Sequence, residues 1–247
     1  MDSHSVLELI FISFVYSIKD LDVNKAGIVP IVFGTFFHVG VNCQGVTDAQ
    51  KSGIRQVVSA ITPDSAFQRA RNIVENNFED KKEMYVALEV LTIIEPQIKK
   101  SAEYYSLRAK CNERIGNLQE ALNLFSKAIS IDPNEAYLYI DRASCKVLIG
   151  NTYAAIVDLT KALTFKPNNQ DILVARANCY IGTKQWNLAL ADINAAYPTK
   201  NSGKYLLYRG LIRVQSGRKQ EGCVDLNAAT ELGENEALGP IKKYCGS

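Results

Sequence analysis

From residue 102 onward, small and apolar positions recur along the chain at an interval of 34 residues. Arg108-Ala109-Lys110-Cys111 aligns with Arg142-Ala143-Ser144-Cys145 and with Arg176-Ala177-Asn178-Cys179. Ala121, Ala155 and Ala189 form a second column, and Ala128, Ala162 and Ala196 a third; Gly116 aligns with Gly150, and Pro133 and Pro167 close the first two units. A one-residue deletion after Tyr197 brings in a fourth unit with Arg209-Gly210, Gly217, Gly222, Leu226 and Ala229. Several columns at one period mark a chain built from repeated supersecondary units. Two antiparallel helices approach closely only where side chains are small, and a bulky neighbour fills the space beside the contact. The alanine and glycine columns supply the first requirement; Phe125, Leu159, Ile193 and Leu226 supply the second.

The pattern extends beyond these four units in weaker form. Thr62-Pro63 reads as an N-cap followed by proline at the first helical position, predicting a helix over 63–78. Ala87 lies 34 residues before Ala121, Leu91 aligns with Phe125, and Pro96 ends the second helix of this degenerate unit. Residues 50–61 read as linker or another short helix. At the far end, 235–245 starts a further helix that Gly239-Pro240 interrupts. A repeat stack needs such an end piece to cover its last apolar face.

These columns resemble the tetratricopeptide repeat, over about 102–236. Leu173 and Leu206 depart from the family's aromatic position, which Tyr105 and Tyr139 keep, and Asn112 and Lys146 match its eleventh position poorly. The resemblance implies an all-α fold, a right-handed superhelix of stacked helix-turn-helix repeats at 102–135, 136–169, 170–202 and 203–236. An apolar segment at 1–49 and a linker with a degenerate helix pair at 50–101 would precede them, and a capping helix at 237–247 would follow.

It also implies a non-catalytic scaffold that binds a peptide or protein along a concave groove. In this sequence the groove positions are Glu103, Ser106, Lys110 and Glu113 in the first repeat, then Tyr137, Ile140, Ser144 and Val147 in the second. The third supplies Asp171, Val174, Asn178 and Ile181, the fourth Lys204, Leu207, Leu211 and Val214. Such a groove begins polar and ends as an open apolar stripe, which marks a binding surface. Asn178 could hold a bound backbone through donor and acceptor, and Tyr137 could serve as a rigid anchor. Self-association, or filling of the groove by the chain's own N-terminal segment, is the alternative. The carboxylate clamp of chaperone-tail binders would fall on Ser106, Lys110, Asp141, Asp171 and Ala175; two of these are acidic, which gives the wrong sign for a carboxylate.

One polar feature has the same period. Arg142/Asp158, Arg176/Asp192 and Arg209/Asp225 are each spaced by 16 residues, which predicts ion pairs within a hairpin. The first repeat has Leu124 in place of the acid, leaving Arg108 as the arginine expected to be available to a partner.

Composition narrows the function further. The 247 residues carry 28 Lys+Arg against 26 Asp+Glu, a net charge of +2, with no basic run longer than two and hence no footprint for nucleic acid. His4 and His38 are the two histidines, and no phosphate loop, serine elbow or zinc-protease motif occurs, so neither an enzyme, a metal site nor a cofactor is expected.

The compartment stays open in the sequence. Val6–Ile18 and Ile28–Val41 are apolar but shorter than a membrane span. The second fits a secretory signal if translation begins near Val23, with cleavage around Val41–Gly45 or Thr47–Ala49; an apolar segment packed on the rest of the chain and a lipid anchor at Cys43 are the other readings. Of six cysteines, Cys111, Cys145 and Cys179 share one repeat position and read as small core residues. The stretch 217–245 resembles the terminal unit of a bacterial exported subtype of the family. That resemblance implies a Cys223–Cys245 disulfide if the protein reaches the periplasm or envelope, contributing about 3 kcal/mol; in a reducing cytoplasm both would stay thiols.

Overall fold

In the computed structural model, residues 47–76, 80–199 and 202–246 are described. The apolar segment with Cys43 and the candidate cleavage position at Val41–Gly45 lies outside them, as do residues 77 and 78 at the end of the helix predicted over 63–78. The described residues form helices joined by short turns and no strand, in two compact units that meet in sequence between Ile149 and Gly150. Among them no helix is long and apolar enough to cross a membrane.

The first unit holds α1 (Asp48–Ser59), α2 (Pro63–Asn76), α3 (Lys81–Ile94), α4 (Ala102–Ile115), α5 (Leu118–Ile131) and α6 (Ala136–Leu148). The stretch 50–61 is thus mostly helix. Thr47 caps α1 reciprocally: its hydroxyl accepts from the Gln50 N–H at 3.3 Å while its own N–H donates to Gln50 Oε1 at 2.8 Å. Ala49, at one end of the second candidate cleavage site, lies in that helix's first turn. The α2 helix opens at Pro63 with the Thr62 hydroxyl accepting from the Ser65 N–H at 3.2 Å. Ile54 and Val58 of α1 join Ala66, Ala70 and Val74 of α2, Ala87 and Leu91 of α3, and Tyr104 and Leu107 of α4 in one buried core. Neighbouring helices pack in sequence order, α2 on α3, α3 on α4, α4 on α5 and α5 on α6.

The second unit holds α7 (Thr152–Phe165), α8 (Gln170–Gly182), α9 (Trp186–Ala196), α10 (Gly203–Gln215) and α11 (Lys219–Glu231). A 3-10 turn at Asn235–Ala237, one α-turn at Leu238–Pro240 and a π-turn at Ile241–Cys245 complete it. Ile241, Tyr244 and Cys245 lie against a core of Leu207, Val214, Leu226 and Ala229, and Cys223 and Cys245 are disulfide-bonded with their Cα atoms 5.6 Å apart.

The repeat columns are the tightest places in the molecule. Ala109, Ala143 and Ala177, then Ala121, Ala155 and Ala189, then Phe125, Leu159, Ile193 and Leu226 are all fully buried. The turn between the helices of each hairpin needs a left-handed residue. Gly116, Gly150 and Gly217 occupy that place with φ of 108°, 79° and 91°; Lys184 takes it in the third repeat at φ 60°, a conformation that costs a side-chain-bearing residue about 1–2 kcal/mol.

The arginine–aspartate spacing is realised as ion pairs inside the hairpins of the second unit. Arg176 donates from Nε and Nη2 to Asp192, both at 2.8 Å, and Arg209 donates to Asp225 at 2.8 and 2.6 Å. Arg108 differs from its sequence expectation. Its guanidinium donates to Glu95 Oε2 at 2.8 Å and to the Tyr104 hydroxyl at 2.8 Å, so the missing acid of the first repeat is supplied by the turn that precedes it. Lys100 also reaches Glu95, at 2.9 Å, and with Arg108 holds that carboxyl below its ordinary range.

Candidate functional site

A cleft of about 730 Å³ opens in the first unit beside α4. Its walls come from four places: the C-terminal turn of α2, the segment leading into α4, the inward face of α4, and the turn from α5 into α6. Each is positioned by local chemistry. Ser101 caps α4, accepting from the Tyr104 N–H at 3.2 Å. Ala102 and Ala109 are buried where α4 meets its neighbours, and Glu103, Ser106 and Lys110, spaced three and four residues apart on the same helix, line the cleft. Asp132 accepts from the Asn134 N–H at 3.3 Å and so fixes the turn that delivers Tyr137 at the start of α6.

Four residues placed in the groove by the repeat arithmetic line this cleft together: Glu103, Ser106, Lys110 and Tyr137. Tyr137 is 37% exposed and Ser106 is buried at 2%. Glu75, Lys99, Ile131, Asp132 and Glu135 complete the polar and apolar wall; these the sequence reading did not single out, because they lie on the preceding helix and in turns rather than at groove positions of a repeat.

The charges are unevenly matched. Glu103 pairs with Arg71, and Lys110 Nζ sits 3.0 Å from Asp141 and 6.0 Å from the Tyr137 ring centroid. The Asp141 charge raises the affinity of Lys110 for its proton. Burial raises the Tyr137 phenol above its ordinary value, and the nearby Glu135, Asp141 and Asp132 add to the effect against Lys110.

Glu113, one turn along α4 from Lys110, is pushed up to about 8, first by burial and then by Asp141, with Lys110 opposing. In the unfolded chain this carboxyl ionises near 4.5; in the folded chain it keeps its proton to about 8. Folding therefore takes up a proton within that window, and stability falls as the pH rises through it. Glu113→Gln, a neutral isostere, should remove that slope. Urea midpoints at pH 5 and pH 8 should show the variant gaining on the natural chain as the pH rises, and parallel curves would place the group in water.

The remaining groove positions do not gather in this cleft. Ile140, Ser144 and Val147 are half-buried along α6. Asp171 and Asn178 are half-buried on α8, where Val174 and Ile181 are buried, and Lys204 is exposed at the start of α10. Leu207 and Val214 are buried with Leu226, and Leu211 packs against that cluster. Val174, Ile181, Leu207 and Val214 thus differ from the open apolar stripe expected of them; for the α10 pair the reason is packing into the core of their own hairpin. Cys111, Cys145 and Cys179 are buried thiols pushed up to about 12 by that burial, far from a reactive thiolate. No group of three or more His, Cys, Asp or Glu side chains able to hold a metal occurs among the described residues.

The sequence family described as Tetratricopeptide repeat matches residues 102–135, which are α4, α5 and their flanks. No curated protein matches by sequence. Several solved structures share the fold. MamA from Desulfovibrio magneticus RS-1 is 17% identical, with a TM-score of 0.58 over 68% of this chain and 95% of that one. A tetratricopeptide repeat protein from Parabacteroides merdae is 20% identical, with a TM-score of 0.60 over 73% of this chain and 78% of that one. YrrB, described as a repeat protein with an unusual peptide-binding site, is 15% identical, with a TM-score of 0.60 over 78% of this chain and 99% of that one. With its buried small-residue columns and its helix hairpins, the chain has the fold of tetratricopeptide-repeat proteins, and its residues 102–135 match that repeat family.

Proposed function

We propose that the protein is a non-catalytic interaction scaffold that binds a peptide segment of a partner in the cleft beside α4. The observation that carries this reading is the convergence of Glu103, Ser106, Lys110 and Tyr137 on one open cleft of about 730 Å³. Four residues placed by repeat position alone meet there, with a half-exposed aromatic ring among polar groups. A rigid aromatic side chain at the mouth of a concave site supplies contact area at small entropic cost. YrrB, which has the same fold, is described as binding peptide; that likeness supports the class of activity and not the ligand. The positions at Ile140, Ser144, Val147, Asp171, Asn178, Lys204 and Leu211 would widen the contact beyond this cleft. The disulfide between Cys223 and Cys245 favours an oxidising compartment for the mature protein.

The test is selection of a random peptide library against the full chain and against Tyr137→Ala in parallel. Peptides enriched on the natural chain should lose about ten-fold or more in affinity for the variant, as expected for an anchor. Enriched peptides that bind both proteins equally would remove the cleft from the function.

A further inference from the structure

The cleft's charge says what kind of segment it takes, an inference that rests on the peptide-binding reading above. Its walls carry the acids Glu75, Glu103, Asp132 and Glu135 against the bases Lys99 and Lys110. Glu103 is matched by Arg71 and Lys110 by Asp141. Among the lining residues that leaves Glu75, Asp132 and Glu135 against Lys99, an excess of two negative charges (three acids less one base).

The chain as a whole is net positive, +2, so this local sign is opposite to that of the molecule. Asp132 and Glu135 precede Tyr137 on the way into α6, and Ile131 lines the same cleft as an exposed aliphatic side chain. Ser106 adds a polar group to the same wall.

We propose that the cleft takes a cationic, partly apolar peptide segment of another protein. A Lys or Arg head would lie between Asp132 and Glu135 over the Tyr137 ring, its alkyl stem against Ile131, and the segment's backbone would bond to the Ser106 hydroxyl. The chemistry is additive: carboxylates attract the head, an aromatic face binds a cation, and the aliphatic stem of a basic residue covers apolar surface. An anionic tail would meet three carboxylates and one ammonium and be repelled.

Fluorescence anisotropy on the full chain tests this with three labelled peptides of equal length, in which leucine alternates with arginine, glutamine or glutamate. At low salt the arginine peptide should bind about ten-fold tighter than the glutamine peptide, and the glutamate peptide weakest. The Asp132→Asn, Glu135→Gln double variant keeps the side-chain acceptor that fixes the turn. It should lose the ten-fold preference, so that the arginine and glutamine peptides bind it alike. Equal binding of the arginine and glutamine peptides, both weakened by Tyr137→Ala, would overturn the charge inference and leave the peptide-binding cleft standing. A preference for arginine that survives the double variant would overturn the inference too, since the cations would then sit elsewhere. Binding of no peptide, or binding indifferent to Tyr137→Ala, would overturn the cleft reading itself.

Discussion

Replacing Gly222 with valine should cost about 3 kcal/mol, read as a fall in thermal midpoint of about 10 °C or more for a unit of this size. The reason is the distance between α10 and α11. A Cβ built on Gly222 would lie 2.6 Å from Val214 Cγ1 and 2.8 Å from both the Gly210 carbonyl oxygen and the Val214 nitrogen. Two of those three atoms are backbone and cannot rotate away, so relief requires the helices to separate. Separation would open the contacts of Leu207, Val214, Leu226 and Ala229 around them. Gly210 faces the same crossing, with its Cβ position 2.8 Å from Leu226 Cγ and 3.0 Å from the Gly222 carbonyl oxygen.

Gly53 is the control, because it is also helical but exposed, with nothing within 4 Å of a Cβ. Gly53→Ala should stabilise by about 0.5–1 kcal/mol, through helix propensity and the smaller freedom of the unfolded chain. Two helical glycines thus give opposite signs, and midpoints from the two variants in one buffer decide the matter. An unchanged midpoint for Gly222→Val would mean that α10 and α11 do not cross this closely in solution.

That crossing also shows why so much of the fold was legible in the sequence. Where two helix axes nearly touch, few side chains fit, so Ala109, Ala121, Gly210 and Gly222 repeat with the period of the structure. The Arg176–Asp192 and Arg209–Asp225 pairs were legible for the same reason: the spacing of 16 residues is fixed by the hairpin. Arg108 escaped that rule because Glu95 precedes it by 13 residues and belongs to the turn after α3, where no repeat column runs.

The candidate site divides in the same way. Glu103, Ser106, Lys110 and Tyr137 stand at repeat positions and could be placed in the cleft by arithmetic. Glu75 reaches it from α2, and Asp132 and Glu135 from a turn; their contribution depends on how helices and loops converge, which periodicity does not encode. Exposure was the least legible property. Hydrophobic residues at groove positions of α8 and α10 can face a ligand or the chain's own core, and a column of apolar letters is the same in both cases. Val174, Ile181, Leu207 and Val214 are buried.

Truncation of Asp225 should rank with Gly222→Val, by a different mechanism. The Asp225 side chain is 4% exposed and accepts from Arg209 at 2.8 and 2.6 Å and from Arg213 at 2.7 Å. One buried carboxylate thus compensates two guanidinium groups on α10. Asp225→Ala would leave both without it, and breaking a buried pair costs about 3–5 kcal/mol because a charge is stranded. The arginine side chains are 25% and 23% exposed, so water can recover part of the loss, which places the expected cost near the low end. Asp192→Ala strands only Arg176, which also donates to the Thr160 hydroxyl at 3.0 Å, and should cost less.

The double variant Arg209→Met, Asp225→Leu separates stranded charge from lost packing. Replacing a buried pair by apolar groups of similar volume is often neutral, so the double variant should recover most of the stability that Asp225→Ala loses. Urea unfolding of the three proteins measures it. A double variant no more stable than Asp225→Ala would show that the stranded Arg209 is not the source of the loss and would leave Arg213, which keeps only Glu221 at 3.6 Å, as its cause.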